Sequence, residues 1–149
     1  QRILTALESA GIAASRVDWF GGMPREAYLA AHAEVDLILD TFPYPGGTTT
    51  CEALWMGVPT LTLAGDTLLA RQGASLLAAA GLPDWIAETP ADYVQKAIAF
   101  ATNLPALAQL RQALRPQLAA SPLFDAPRFA AALAATLRAA CAEAAGGTS

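Results

Sequence analysis

Two glycines, three threonines and a glutamate fall within the run Gly46-Gly47-Thr48-Thr49-Thr50-Cys51-Glu52. Glycine lets a ligand approach the main chain closely. Threonine hydroxyls donate hydrogen bonds, and a helix that begins here leaves its first N–H groups unpaired. Those groups, with the positive end of the helix dipole, form a natural seat for a phosphate. We read Gly47, Thr48, Thr49 and Thr50 as the diphosphate site of a nucleotide. The plain alternatives are a threonine N-cap and, for Glu52, a first-turn acid that favours the dipole.

The elements around this run are those the chemistry needs. Val35–Leu39 is a short, almost wholly apolar stretch, as in a strand buried on both faces. Phe42–Gly47 contains two prolines and two glycines and must be a loop. Thr48–Met56 reads as helix, stopped by Gly57 with Pro59 beyond, and Thr60–Leu63 as the next strand. A loop feeding a helix at the carboxyl end of a buried parallel strand is where α/β proteins bind phosphates.

Taken in order, residues 2–10 read as a helix ended by Gly11, with Gln1 already in helix, and Val17–Phe20 as a short strand. Arg25–Ala33 is a helix with Pro24 before it, Tyr28 and His32 sharing one face. Asp66 or Thr67 caps a helix over Leu68–Ala80, closed by Gly81 and Pro83. Trp85–Ala87 is a candidate last strand. Helices follow from Thr89 to about Ala101, over Leu107–Leu118 and over Phe129–Ala145, with Gly146-Gly147-Thr148-Ser149 as a frayed end. Strands alternating with helices imply a Rossmann-like parallel sheet with right-handed crossovers. We divide the chain into a partial nucleotide-binding lobe, 1–104, and C-terminal helices, 105–149.

Composition narrows the classes. The 149 residues suit one domain, are 54% hydrophobic and carry a formal charge of −4, which argues against a nucleic-acid-binding face. Cys51 and Cys141 show no disulfide or metal spacing, so no metal is expected and a reducing, cytoplasmic compartment fits. No apolar run is long enough to span a membrane, and no signal peptide is visible. The opening at Gln1, without an initiator methionine, reads as part of a longer protein.

The run LDTFPYPGGTTTCEALWMGVPTLTLAGDTLLARQGASLL resembles the C-terminal catalytic lobe of the O-linked N-acetylglucosamine transferase family, including its bacterial tetratricopeptide-repeat and SPINDLY-like members. The resemblance is carried by the LD strand end, the paired threonines, the acid three residues on, Leu54-Trp55-Met56-Gly57-Val58-Pro59, Ala64-Gly65-Asp66-Thr67 with Arg71, and Ser121-Pro122-Leu123-Phe124-Asp125. It covers about residues 17–130. It implies part of the C-terminal lobe of a GT-B glycosyltransferase, with the active site in a cleft between two lobes. The implied reaction is inverting transfer of N-acetylglucosamine from UDP-GlcNAc to Ser or Thr hydroxyls of a protein held by upstream repeats. The donor is a substrate; neither cofactor nor metal is implied.

The resemblance further implies that Thr48 and Thr49 contact the diphosphate, that Glu52 accepts the ribose hydroxyls, and that Tyr28 and Arg25 lie on the base side. Gly47 stands where the family often has His, and Pro45 where it often has Asn. No catalytic residue is assigned within the chain; acceptor activation is expected in the other lobe. His32 is read as covering the domain edge, Trp55 and Cys51 as packing residues, and Asp66 and Arg71 as a cap and an ion-pair member. Two alternatives stay open: a SPINDLY-type use of GDP-fucose, and a non-catalytic lobe kept for protein contact.

Overall fold

The computed structural model describes residues Arg2–Gly146; Gln1 and Gly147-Thr148-Ser149, read above as a helix start and a frayed end, lie outside them. Three parallel strands, β1 (Ile38–Leu39), β2 (Thr60–Leu63) and β3 (Ile86–Ala87), form a sheet in the order β1-β2-β3. Ile38 stands opposite Thr60 and Thr62 opposite Ile86. The helices are α1 (Arg2–Ser9), α2 (Arg25–Ala31), α3 (Thr48–Trp55), α4 (Gln72–Ala79), α5 (Pro90–Thr102), α6 (Leu104–Ala119) and α7 (Ala126–Gly146). This is the α/β architecture expected from the alternation of strands and helices.

The helix ends follow sequence chemistry. Gly57, at φ 79°, closes α3: its N–H donates to Leu54 O and the N–H of Val58 to Ala53 O, the paired bonds of a glycine-terminated helix. Gly81 closes α4 in the same way, through Ala78 O and Leu77 O. Thr89 caps α5 by accepting from Asp92 N at 3.1 Å. The later helices begin earlier than hydrophobic spacing suggests. Asn103 caps α6 at Ala106 N, and Asp125 accepts from Arg128 N at the start of α7.

Three expectations are corrected. Val17–Phe20 forms no strand: Val17 is extended, but no strand lies beside it among the described residues, and an extended segment without a ladder partner has nothing to fix it. Trp19 and Phe20 are accordingly exposed. Val35–Leu39 shortens to Ile38–Leu39, and Leu39 is exposed, because β1 is an edge strand with one side uncovered among the described residues. Leu68–Ala80 is not one helix. Thr67, rather than Asp66, accepts from Ala70 N, capping a 3-10 turn at Leu69–Arg71, and Arg71 (φ −98°, ψ 0°) separates that turn from α4.

The core lies between the sheet and the C-terminal helices. Leu54, Leu61, Leu77, Leu114 and Leu118 are fully buried, joined by Trp85, which stacks on Phe100 with ring centroids 4.1 Å apart. Gln117 of α6 donates to Ala80 O at 3.0 Å, tying α6 to the end of α4.

At the carboxyl end of β1 the core becomes polar. Asp40 is buried; its Oδ1 accepts from Gly46 N and its Oδ2 from Thr62 Oγ1, both at 2.8 Å. The Tyr93 hydroxyl donates to the Asp40 carbonyl at 2.8 Å. Gly73 of α4 packs directly on this pair: a Cβ there would lie 2.7 Å from Asp40 Oδ2 and closer still to Thr62 Oγ1.

Two outcomes follow for stability. Gly73→Ala overpacks a buried, hydrogen-bonded contact and should destabilise the protein by about 1–3 kcal/mol in denaturant unfolding. Tyr93→Phe leaves the Asp40 carbonyl unpaired and should cost about 1–3 kcal/mol at neutral pH. Burial, and then the Asp40 charge, push the Tyr93 hydroxyl up to about 12. Its folded-state pKa thus exceeds the unfolded value of about 10, so its stabilisation is complete below that pH and is lost as pH rises through about 12. Unfolding curves across this alkaline range should show that loss in the parent protein and lack it in Tyr93→Phe.

Candidate nucleotide-binding site

The site is built from the loop after β1 and the first turn of α3. Asp40 draws the Gly46 N–H inward, and the helix begins two residues later. Gly46 has little room: a Cβ there would stand 2.5 Å from Thr50 Oγ1 and 2.8 Å from Thr49 Oγ1. Gly47 occupies the N-cap and offers no side-chain cap. Cys51 N–H bonds back to Gly47 O at 3.2 Å. In such a helix the amides before that bond, those of Thr48, Thr49 and Thr50, have no intrahelical acceptor.

Thr48 and Thr49 are exposed at this helix start. They are neither mid-helix nor walled off by the sheet. Thr50 differs: its side chain is buried, turned against Gly46, so what it offers a ligand is its main-chain N–H. Gly47, Thr48, Thr49 and Thr50 are therefore brought together, with Thr48 and Thr49 exposed and the Thr49 hydroxyl lying beside Gly46.

Glu52 lies one turn in, 13% exposed at its side chain. Arg25 Nη1 stands 2.6 Å from Glu52 Oε1, which joins the start of α2 to that of α3. The approach is close but not aligned as a hydrogen bond, so Oε1 remains a buried acceptor without a hydrogen-bond donor. Arg25 is 71% exposed, and the pair contributes little to stability across so much solvent. Its effect is local: it holds a cation against the carboxylate.

Tyr28 sits one turn after Arg25. Burial and the Glu52 charge raise its hydroxyl pKa against the opposing pull of Arg25. Two clefts flank the first turn of α3. One, of ≈ 390 Å³, is lined by Arg25, Leu29, Thr48, Cys51, Glu52, Trp55 and Phe124. The other, of ≈ 230 Å³, runs between Tyr28, β1 and α3, and includes Asp40, Gly46, Thr49 and Thr60. Tyr28, expected on the base side together with Arg25, lines the second cleft, while Arg25 and Glu52 line the first.

The other singled-out residues have structural surroundings. His32 is buried; its Nδ1 is 3.0 Å from Tyr28 O, and its ring meets the Tyr28 ring edge-on at 4.9 Å. Burial, then the Glu52 charge, raise the Cys51 thiol pKa, which disfavours the reactive thiolate. Trp55 packs on Phe124 at 5.0 Å, with the Arg115 guanidinium 4.9 Å from its ring. Arg71 forms no ion pair among the described residues; it donates to Gly65 O at 3.2 Å. No group of three or more His, Cys, Asp or Glu side chains among the described residues could hold a metal. None of the described helices is long and apolar enough to cross a membrane.

Asp40 enters the sequence reading only as the end of the LD strand, and Gly73 and Gln72 do not enter it as site residues. Asp40 had one visible signal, an acid closing an apolar run. Gln72 had none: its position over Gly47 depends on how α4 packs.

Comparison with known proteins gives the lineage. Residues 1–133 match glycosyl transferase family 41. The chain is 41% identical over 139 residues to a protein of Arabidopsis thaliana named probable UDP-N-acetylglucosamine–peptide N-acetylglucosaminyltransferase SPINDLY, covering 93% of this chain and 15% of that protein. It is 30% identical over 119 residues to the UDP-N-acetylglucosamine–peptide N-acetylglucosaminyltransferase of Caenorhabditis elegans, covering 80% of this chain and 10% of that one. A mutant O-GlcNAc transferase of Thermobaculum terrenum superposes with a TM-score of 0.85 at 40% identity, over 92% of this chain and 26% of that one. The three-stranded sheet and its helices therefore have the fold of part of the GT-B catalytic lobe. With its family match running through the site and the core alike, this chain belongs to glycosyl transferase family 41.

Proposed function

We propose that the chain forms the nucleotide-sugar-binding part of a glycosyltransferase that moves N-acetylglucosamine from UDP-GlcNAc to protein Ser or Thr hydroxyls with inversion. The observation that carries this reading is the open start of α3. Exposed Thr48 and Thr49 stand beside three amides, with an undonated carboxylate oxygen of Glu52 one turn away, in a family 41 chain. The printed names of the relatives, which specify UDP-N-acetylglucosamine and a peptide acceptor, support the donor and acceptor.

In this reading the diphosphate oxygens lie on the amides of Thr48–Thr50 and the hydroxyls of Thr48 and Thr49. As the bond to the sugar breaks, negative charge grows on the leaving diphosphate, and these donors and the helix dipole stabilise it. Glu52 accepts the ribose hydroxyls once the Arg25 guanidinium beside its buried Oε1 moves aside, and that oxygen has no hydrogen-bond donor to give up. Tyr28 and Arg25 face the base, where Tyr28 offers a ring for stacking. The diphosphate charge is met by helix and hydroxyl donors, with no metal and no cofactor. Acceptor activation belongs to the other lobe of the enzyme, and the acceptor protein to the repeats before it.

The test is calorimetric titration of the full protein with UDP and GDP, beside a transfer assay onto a protein acceptor. UDP should bind more tightly than GDP, and Glu52→Ala should weaken UDP by roughly tenfold or more, the worth of hydrogen bonds to a charged group. The same variant should abolish transfer. Tighter binding of GDP would replace the donor with a GDP-sugar. A folded protein that binds neither nucleotide, or a Glu52→Ala variant of full activity, would overturn the site.

A further inference from the structure

We propose that Gln72, the first residue of α4, supplies a side-chain donor to the diphosphate, standing where position 47 has no side chain of its own. The proposal rests on the nucleotide reading of the α3 start. A Cβ built on Gly47 would lie 2.6 Å from Gln72 Nε2, 3.3 Å from its Cδ and 3.6 Å from its Oε1. The carboxamide therefore already fills the space a side chain at 47 would take, with its nitrogen foremost. Gln72 is exposed, so this NH₂ group is open to a ligand. A primary amide presents two donors there.

The placement is imposed from below. Gly73, the next residue, lets α4 settle onto the Asp40–Thr62 hydrogen bond, where any Cβ would collide. That contact fixes the beginning of α4 over the loop that Asp40 also holds through Gly46. Two helix starts thereby meet, α4 at Gln72 and α3 at Gly47, and each brings partial positive charge to the same spot. An anion seated on Thr48 and Thr49 is the ligand this arrangement favours; an uncharged nucleoside gains nothing from it.

The difference between charged and uncharged ligands supplies the test. The full protein is titrated with UDP, and with uridine as a phosphate-free competitor. Gln72→Ala should weaken UDP about tenfold, the loss of one hydrogen bond to a charged oxygen, and leave uridine unchanged. Gln72→Glu, equal in length but negative, should weaken UDP further and again spare uridine. Gly47→Ala should mimic Gln72→Ala by pushing the flexible carboxamide aside, and the two changes combined should add little to either alone. UDP affinity kept within twofold in Gln72→Ala would overturn the proposal, as would an equal loss of UDP and uridine, the mark of a purely structural role. A parent protein that binds neither ligand would instead overturn the nucleotide reading itself, and the role of Gln72 with it.

Discussion

One buried carboxylate governs the geometry of this domain. Asp40 ends β1 and accepts from Gly46 N and Thr62 Oγ1, so it joins the first strand, the loop beyond it and the second strand. Neutral donors hold it; the ion pairs of the described residues involve other acids. A buried carboxylate held this way is costly unless each oxygen is satisfied, and that demand makes the loop conformation specific rather than merely permitted. The glycines at 46 and 73 follow from the same constraint. At 73 a side chain would strike the Asp40–Thr62 pair itself, and at 46 it would strike the hydroxyls of Thr49 and Thr50 beside it.

From this centre the proposed binding surface is projected outward. The loop turned by Asp40 delivers α3 with exposed threonines at its start, and the packing of α4 on Gly73 delivers Gln72 beside them. The core plays a supporting part. Leu54 on α3 is fully buried in the cluster that includes Leu114 and Leu118, so α3 is anchored on its inner side while its first turn stays open. Rigidity below and exposure above are what a preorganised anion site requires.

Much of this was legible in the sequence, for physical reasons. Glycine stops at 57 and 81, the Thr89 cap and the β2 run Thr60–Leu63 are local signals, and local signals survive folding. The threonine cluster could be placed on a helix start because loop punctuation and apolar period change at the same point. What escaped depends on distant partners. Val17–Phe20 has strand composition, but a strand needs a neighbour that composition cannot supply. The break at Arg71 depends on Thr67 capping a separate turn. The position of Gln72 over Gly47 comes from packing between segments far apart in the chain, as does the Tyr93 bond to Asp40 across 53 residues.

The brevity of β1 has its own consequence. A long, flat sheet margin invites foreign strands to add and is a route to fibrils. Here the margin beyond β2 offers only Ile38 and Leu39 before the chain plunges into Asp40 and its loop. So short a template gives an incoming peptide too few rungs to climb, and it ends at the turn that Asp40 holds through Gly46.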